Sequence, residues 1–181
     1  ALFSPIFGIL IDRWNPKYLL MTGCGLLSLG YYGYSMIANG APVPLIEAIA
    51  AQSPFRHLVT PGGGKMSVAM TNCGPVGWVS DRSGYRYSPL DPIARRAWLA
   101  MPAAFRQLAL TAAAHAGFGE FDPDACLINR YEPGARMGAH RDADETNFEQ
   151  PIVSVSLGVP ATFVFYGLTR GGKGRPVALT D

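Results

Sequence analysis

A histidine and an aspartate two positions apart, His140 and Asp142, have the clearest chemical potential in this chain of 181 residues. If they lie in a β-strand, side chains i and i+2 point to the same face, which places an imidazole nitrogen beside a carboxylate oxygen. Two histidines and one carboxylate on one face of an Fe(II) ion are the ligand set of non-haem iron oxygenases. The spacing therefore predicts part of an iron site, although the same spacing also occurs in surface loops.

Strand-like segments surround this pair and are separated by turn residues. The first is 125–131, ACLINRY, before Glu-Pro-Gly; the next two, on either side of Gly-Val-Pro, are 152–157, IVSVSL, and 161–166, ATFVFY. Short β-rich segments between Gly/Pro turns indicate a sandwich or a double-sheet jelly roll. Asn129 and Tyr131 would share one face of the first strand, which puts an amide and a phenol near the proposed metal.

Two helices are predicted beside these strands. Residues 102–116 begin at a proline, are rich in alanine and stop before a glycine, and residues 45–51 form a shorter candidate. Both helices are expected to pack outside the sheets, with Trp98 and Phe105 as core residues. The predicted fold class is therefore α+β, a jelly roll (double-stranded β-helix) with flanking helices over residues 41–181.

Ordered motifs over residues 43–181 resemble AlkB-type DNA repair dioxygenases. The core motifs are LINRY-x-PGA from Leu127, H-x-D-x-DE from His140 and PIVSVSLG from Pro151. Upstream, the resemblance continues through FRH-x-VTPGG, MSVAMTNCG, GW and GY-x-YSP, which start at Phe55, Met66, Gly77 and Gly84. The resemblance implies a jelly-roll enzyme that uses Fe(II), 2-oxoglutarate and O₂.

The resemblance also implies a role for each site residue. His140 and Asp142 would be two of the three iron ligands, and Asn129 and Tyr131 would hydrogen-bond 2-oxoglutarate. Trp78 would stack on the damaged base, with His140 on the other side of that base. The other residues implied to contact the substrate are Thr60 and Tyr85 at the nucleic-acid backbone and Asp144, Glu145 and Arg170 in the substrate pocket.

The implied reaction is oxidative dealkylation of bases of the 1-methyladenine or 3-methylcytosine type. The N-alkyl carbon is hydroxylated, and the resulting hemiaminal releases an aldehyde and the restored base. An alkyl group on the pairing edge prevents base pairing, which makes such a base easier to flip out of a duplex. Its planar ring can then stack on an aromatic side chain, a contact worth roughly 1–3 kcal/mol.

The third iron ligand has no counterpart at the position that the resemblance gives it. The distal histidine of the family follows the strand at 161–166, with the basic residues that bind 2-oxoglutarate beyond it, whereas this sequence ends at Asp181. The two further histidines, His57 and His115, do not match that position. The jelly roll is therefore expected to lack its last strands, which leaves the activity of this chain open.

Residues 1–40 differ in character from the rest and are predicted to form a separate apolar helical hairpin. Residues 18–38 carry no charge and are long enough for a membrane-spanning helix of about 20 residues. With Asp12, Arg13 and the apolar run before them, they resemble the helix-loop-helix of a major facilitator transporter. The alternative is a buried hairpin on a soluble core. Membrane contact through this segment disagrees with a cytoplasmic DNA repair enzyme, and a gene fusion would explain both parts.

Charge and cysteine content constrain the partners further. The net charge of +2 is only mildly basic, but four arginines follow Trp78 closely in the sequence: Arg82, Arg86, Arg95 and Arg96. Basic groups among aromatic rings suit phosphate contact and base stacking, and they also occur in ordinary solvated loops. The three widely spaced cysteines show neither a disulfide framework nor a zinc pattern, in keeping with a reducing cytoplasm.

Three functions stay open on this basis. The first is dealkylation of alkylated single- or double-stranded DNA, or of RNA, by a monomeric cytoplasmic enzyme. The second is a non-catalytic nucleic-acid-binding remnant that keeps Trp78 and the arginines. The third is a fragment of a membrane transporter that acts through residues 18–38.

Overall fold

A computed structural model of the chain describes residues 42–140, 142, 144–145, 147–158, 160–166 and 173–179. These residues form two helices and eight strands. The helices are α1, Pro42–Gln52, and α2, Ala103–His115. The strands are β1 Ala69–Cys73, β2 Gly77–Asp81, β3 Gly84–Ser88, β4 Leu90–Asp91, β5 Arg96–Ala97, β6 Cys126–Arg130, β7 Ala161–Phe165 and β8 Arg175–Leu179.

The described residues fall into two compact units. The first contains residues 42–107 and 122–147, and the second contains residues 108–121 and 148–179. Every described residue that the sequence assigned to the site belongs to the first unit. The geometry of the site can therefore be described within that unit alone.

The described strands pair in four antiparallel couples, β1 with β6, β2 with β3, β4 with β5, and β7 with β8. Antiparallel pairing is the arrangement that a jelly roll uses. In the β2–β3 hairpin, Trp78 lies opposite Tyr87 and Ser80 lies opposite Tyr85. Because alternate residues of a strand share a face, these four side chains lie on one face of the hairpin.

The sequence located several of these elements and misplaced one. The predicted strands at 125–131 and 161–166 are confirmed to within about one residue at each end, as is the helix at 102–116. The helix predicted at 45–51 is longer and begins at Pro42, where a proline suits the first turn. The predicted strand at 152–157 is wrong, because these residues have no strand conformation. Alternating apolar residues favour a strand, but a strand forms only where its backbone groups find partners.

Strand β1 is the buried centre of the first unit, since all five of its residues are buried. The hydroxyl of Thr71 donates to the carbonyl oxygen of Ser53 at 2.7 Å, which satisfies a polar group inside the core. Trp98 is 8% exposed, which confirms its prediction as a core residue, whereas Phe105 is only half-buried. The Thr71 hydrogen bond therefore connects β1 to the residue that follows α1.

A tight turn joins β2 to β3 and fixes the register of the hairpin. Gly84 has φ +123°, a conformation that favours glycine, and the Asp81 carboxylate accepts from the Ser83 N–H at 2.8 Å. The Arg86 guanidinium donates to the same carboxylate at 2.7 Å. Arg86 and then the Ser83 amide lower the pKa of Asp81 to about 2. The turn therefore determines which residues of the hairpin share a face.

An ion pair with a buried carboxylate links two segments of the same unit, at Arg56 and Asp91. Asp91 is 3% exposed and accepts hydrogen bonds from both terminal nitrogens of the Arg56 guanidinium, one of them at 2.8 Å. It also accepts from the N–H groups of Ile93 at 2.9 Å and Ala94 at 3.2 Å. Burial alone raises the pKa of Asp91, but the hydrogen bonds from Arg56 and the two amides outweigh it and lower the pKa.

The predictions for residues 1–40, including the span 18–38 and its likeness to a transporter, lie outside the described residues. Among the residues that the structure does describe, no helix is both long and apolar enough to cross a bilayer. The longer of the two described helices, α2, has 13 residues, whereas a transmembrane helix needs about 20.

Candidate active site

His140 and Asp142 lie side by side, although neither belongs to a strand. His140 Nε2 is 3.2 Å from Asp142 Oδ1, and the two side chains are 56% and 41% exposed. Neither position takes part in ladder pairing, so the shared face of a strand does not account for this contact. The structure nevertheless brings together the nitrogen and oxygen donors that the spacing suggested.

The second ring nitrogen of His140 is held by the backbone. Nδ1 lies 2.8 Å from the carbonyl oxygen of Gly138. Because a carbonyl can only accept, the hydrogen bond places the proton of a neutral imidazole on Nδ1 and leaves a lone pair on Nε2. Metal-binding histidines are typically oriented by a hydrogen bond of this kind.

The geometry of the pair fits one metal ion. Two donors about 2.1 Å from an ion, at about a right angle, are about 3 Å apart, and the observed separation is 3.2 Å. Within the described ranges, no cluster of three or more His, Cys, Asp and Glu residues could hold a metal. His57 instead directs Nδ1 to the carbonyl oxygen of Met66 at 2.9 Å. The described residues thus offer two ligands of an Fe(II) site.

Asn129 and Tyr131 lie at the end of β6 and are both exposed. Asn129 is opposite Met70 of the buried strand β1, and Tyr131 is 54% exposed just beyond the last residue of β6. Burial raises the pKa of the Tyr131 phenol, so the hydroxyl is a hydrogen-bond donor at neutral pH. An amide and a phenol at an exposed strand end can both donate to a carboxylate. Their role as 2-oxoglutarate ligands stays a prediction.

Trp78 and Tyr85 form a stacked aromatic surface on the β2–β3 hairpin. Their ring centroids are 5.5 Å apart and their planes differ by 15°. They occupy diagonal positions on one face of the hairpin, close enough for aromatic side chains to touch. The resemblance placed Tyr85 at the nucleic-acid backbone, and the structure adds that its ring covers one face of the Trp78 indole.

Asp144 and Glu145 form hydrogen bonds to the same hairpin. Trp78 Nε1 donates to Asp144 Oδ2 at 3.3 Å, and the Tyr87 hydroxyl donates to Glu145 Oε1 at 2.6 Å. Burial raises the pKa of Tyr87, and the hydrogen bond to Glu145 and the charges of Glu145 and Asp142 raise it further. The hydroxyl therefore stays protonated and donates. Two hydrogen bonds thus join the acidic segment to the aromatic face.

Asn72 holds the backbone of Trp78 from the buried strand β1. Its side-chain amide donates to the Trp78 carbonyl oxygen at 3.0 Å and accepts from the Trp78 N–H at 3.0 Å, and Asn72 itself is 2% exposed. Gly77 allows this close approach, because a Cβ there would lie 2.5 Å from the Trp98 ring and 2.8 Å from Asn72 Cβ. Asn72 and Gly77 therefore hold the backbone of Trp78 close to the buried strand β1.

Thr60 lies in a turn beside this hairpin. Its N–H donates to the Gly64 carbonyl oxygen at 2.7 Å, and its hydroxyl oxygen accepts from the Gly64 N–H at 3.0 Å. The Ser80 hydroxyl donates to the carbonyl oxygen of Val59 at 2.7 Å, which connects the turn to β2. The structure therefore brings Thr60 near the aromatic face, whereas Arg170 lies outside the described residues.

The four arginines that the sequence grouped with the aromatic residues differ in their surroundings. Arg86 is paired within the hairpin, and Arg96 donates to the main-chain carbonyl of Gln52. Arg82 and Arg95 are exposed. The local basic surface is therefore smaller than the composition of this segment suggests.

Asn72 and Tyr87 are site residues that the sequence did not reveal. An amide side chain at the end of the mainly apolar run 68–73 is a signal that could have pointed to Asn72, because buried amides require partners. Tyr87 gives no such signal, since its partner Glu145 is 58 positions away. In the sequence, Tyr87 belongs only to the motif GY-x-YSP.

Comparison with known proteins identifies the family of the chain. The model of the 2OG-Fe(II) oxygenase superfamily matches residues 35–181, and the chain belongs to this superfamily. Membership implies the jelly-roll fold and, as the name of the superfamily states, the use of Fe(II) and 2-oxoglutarate. One histidine and one aspartate are two of the three ligands in the two-histidine, one-carboxylate set of non-haem iron oxygenases.

Two bacterial proteins are similar to this chain over more than two thirds of its length. The chain is 58% identical over 125 residues to the alpha-ketoglutarate-dependent dioxygenase AlkB of Escherichia coli (strain K12), a match that covers 69% of this chain and 58% of that protein. It is 43% identical over 144 residues to the AlkB homolog of Caulobacter vibrioides (strain NA1000 / CB15N), covering 80% and 64%.

A plant protein shares a shorter stretch. Over 72 residues the chain is 39% identical to the DNA N(6)-methyladenine demethylase ALKBH1A of Arabidopsis thaliana, which covers 39% of this chain and 21% of that protein. The chain spans a little under two thirds of the length of the curated bacterial relatives that it matches.

Proposed function

We propose that this chain carries the metal-binding and base-binding part of an Fe(II)/2-oxoglutarate dioxygenase that removes N-alkyl groups from nucleic-acid bases. The observation that carries the proposal is the 3.2 Å contact between His140 Nε2 and Asp142 Oδ1. Two residues further on, Asp144 hydrogen-bonds the indole of Trp78. Two metal-binding side chains next to an aromatic surface are the arrangement that oxidation of a stacked base requires.

His140 and Asp142 would hold the iron, and Asn129 and Tyr131 would bind and orient 2-oxoglutarate. When bound, the iron and its co-substrate supply the activation of O₂ that leads to hydroxylation of the N-alkyl carbon. The Gly138 carbonyl keeps the His140 ring in the tautomer that offers Nε2. The protein thus positions the reacting groups, while the redox chemistry belongs to the cofactor.

Trp78 would bind the alkylated base. Tyr85 covers one face of the indole, so the base is expected to stack on the opposite face, with a contribution of roughly 1–3 kcal/mol. Alkylation of a ring nitrogen on the pairing edge of adenine or cytosine gives the base a positive charge. The carboxylate of Asp144 beside Trp78 favours such a cation over the neutral, undamaged base.

The hydroxylated product needs little help from the protein. A hemiaminal on a ring nitrogen breaks its C–N bond, returns the electron pair to the base and releases formaldehyde from a methyl adduct. The products are the unmodified base and the aldehyde. The residues described above would therefore be needed to bind the cofactor and to bind and orient the substrate. They would not be needed for the release of formaldehyde.

The substrates and setting proposed for the whole protein follow from the same resemblance. They are alkylated single- or double-stranded DNA, or RNA, bound by a monomer in the cytoplasm. The exposed Arg82 and Arg95 near the hairpin would contact phosphate, with Thr60 and Tyr85 at the backbone of the flipped nucleotide.

The test is release of formaldehyde by the full gene product that contains this chain, supplied with Fe(II), 2-oxoglutarate, O₂ and a single-stranded oligonucleotide with one 1-methyladenine. One formaldehyde per restored adenine is expected. His140→Ala and Asp142→Ala should each lower the rate by at least about 100-fold. His115→Ala, a matched change at the exposed end of α2, should leave it unchanged.

Other outcomes would assign the protein differently. Binding of the oligonucleotide without formaldehyde release, at saturating iron, would contradict the enzyme and favour the non-catalytic binding protein. An equal rate for wild type and His140→Ala would contradict the metal site itself.

A further inference from the structure

The two proposed metal ligands, His140 and Asp142, lie in a segment without regular secondary structure. The described residues from Pro133 to Asn147 include neither helix nor strand. Backbone hydrogen bonds of a helix or a ladder therefore do not fix the positions of His140 and Asp142. The Ser67 hydroxyl bonds to the backbone of Arg136 near the start of the segment, at 2.8 and 3.1 Å, and the β2–β3 hairpin bonds to Asp144 and Glu145 near its end.

Tyr87 makes the shortest of these contacts. Its hydroxyl donates to Glu145 Oε1 at 2.6 Å, a typical length for a hydrogen bond to a charged acceptor. Glu145 is three residues from Asp142 and next to Asp144, which accepts the weaker bond from Trp78 at 3.3 Å. Both acceptors are carboxylates, so the two bonds differ in length and not in acceptor charge: the Trp78 contact is longer than the usual N–H···O hydrogen bond. The Tyr87–Glu145 bond is therefore the main attachment of the segment to the hairpin.

Tyr87 is itself well anchored. It lies directly opposite Trp78 in the β2–β3 ladder and is half-buried, so its ring has little freedom. Asn72 in turn fixes the backbone of Trp78 to the core. A series of contacts thus runs from the buried strand β1 through the hairpin to Glu145, three residues along the chain from Asp142.

We propose that Tyr87 is a positioning residue for the metal centre, and that Glu145 is the acceptor through which it acts rather than a substrate contact. The Tyr87 hydroxyl holds Glu145, and this bond keeps Asp142 and His140 beside the aromatic face in the arrangement that binds the ion. The inference rests on the proposed function, since it assigns the attachment of the same metal site. It differs from the role implied by resemblance, which placed Glu145 in the substrate pocket.

The test measures metal affinity in the absence of nucleic acid. Cobalt(II) is titrated into the metal-free full gene product and its visible absorption is followed. Tyr87→Phe removes the donor and keeps the ring, and it should raise the Co(II) dissociation constant about tenfold, as loss of an outer hydrogen bond does in other metal sites. Tyr166→Phe, the same change at a tyrosine that is 52% exposed in the second unit, is the control and should have no effect.

Three further variants separate positioning from a general effect on the fold. Glu145→Gln keeps an oxygen that can accept from Tyr87, so its Co(II) affinity should stay within about threefold of wild type. Glu145→Ala should match Tyr87→Phe. The double variant Tyr87→Phe/Glu145→Ala should be no weaker than either single variant, because both remove the same hydrogen bond.

The outcomes are distinguishable. If wild type binds Co(II) and Tyr87→Phe binds it equally well, the inference is wrong while the proposed function stands, even if the variant melts at a lower temperature. Additive losses in the double variant would also overturn it. If wild type shows no binding at the His140–Asp142 pair, the proposed function fails and this inference fails with it.

Discussion

Strands β1 and β7 have five residues each, yet their environments are opposite. Every residue of β1 is buried, whereas four of the five residues of β7 are exposed, including Phe163 and Val164 at 37%. Each strand has one antiparallel partner strand, but Met70 of β1 also exchanges two backbone hydrogen bonds with Arg56 on the other edge. The side chains of Thr71 and Asn72 add hydrogen bonds to the backbone of neighbouring segments. The aromatic face of the site is therefore attached, through Asn72, to a strand that has backbone and side-chain partners around it.

Asn72→Ala should give the largest loss of stability. It removes both hydrogen bonds to the Trp78 backbone and leaves a buried N–H and carbonyl without partners. We expect the free energy of unfolding to fall by about 3 kcal/mol. Thr162→Ala on the exposed face of β7 should change it by less than about 0.5 kcal/mol. Urea unfolding of the two variants measures both, and equal effects would remove the distinction between the strands.

Val79 and Val164 offer a matched apolar comparison. Val79 is 3% exposed in β2, and Val164 is 37% exposed in β7. Val79→Ala should cost about 2 kcal/mol, through lost burial and a residual cavity, and Val164→Ala no more than about 1 kcal/mol. Thermal unfolding would show the order of the two melting temperatures. A reversed order would mean that β7 is covered in solution.

Acid should weaken the buried region through Asp91. Its pKa is lowered in the folded protein, so between the folded value and the ordinary value near 4 the unfolded chain binds more protons. The contribution of Asp91 is therefore complete above about pH 4 and is lost as the pH falls through the folded pKa. Arg56→Met, which removes the largest favourable partner, should flatten this slope.

The measurement is the unfolding free energy of wild type and Arg56→Met between about pH 2 and 6. We expect a smaller dependence on pH in the variant, together with lower stability at neutral pH. An unchanged slope would show that the Arg56–Asp91 pair does not set the acid response.

Local chemistry explains which parts of the fold the sequence could predict. The helix at 102–116 and the strands at 125–131 and 161–166 were found because proline, glycine and apolar spacing act over a few residues. The segment 152–157 has the same apolar alternation, but it forms no strand because pairing depends on distant partners. The sequence provides motifs but no predicted strands for the β2–β3 hairpin, although the glycine of its turn, Gly84, is a local signal.

The site shows the same limit. The spacing of His140 and Asp142 suggested neighbouring donors, and the structure brings them together outside any strand. The link between Tyr87 and Glu145 joins positions 58 apart, and Asn72 acts on a backbone rather than a side chain. Contacts of this kind arise only when the chain is folded, so residue spacing does not reveal them.

Metal binding by the pair His140 and Asp142 is the central claim, and calorimetric titration with Mn(II) tests it most directly. Wild-type gene product should bind one ion, and His140→Ala and Asp142→Ala should each weaken binding by at least about 100-fold. His115→Ala should bind as wild type does. Binding of equal strength in all four proteins would contradict the assignment of the metal site.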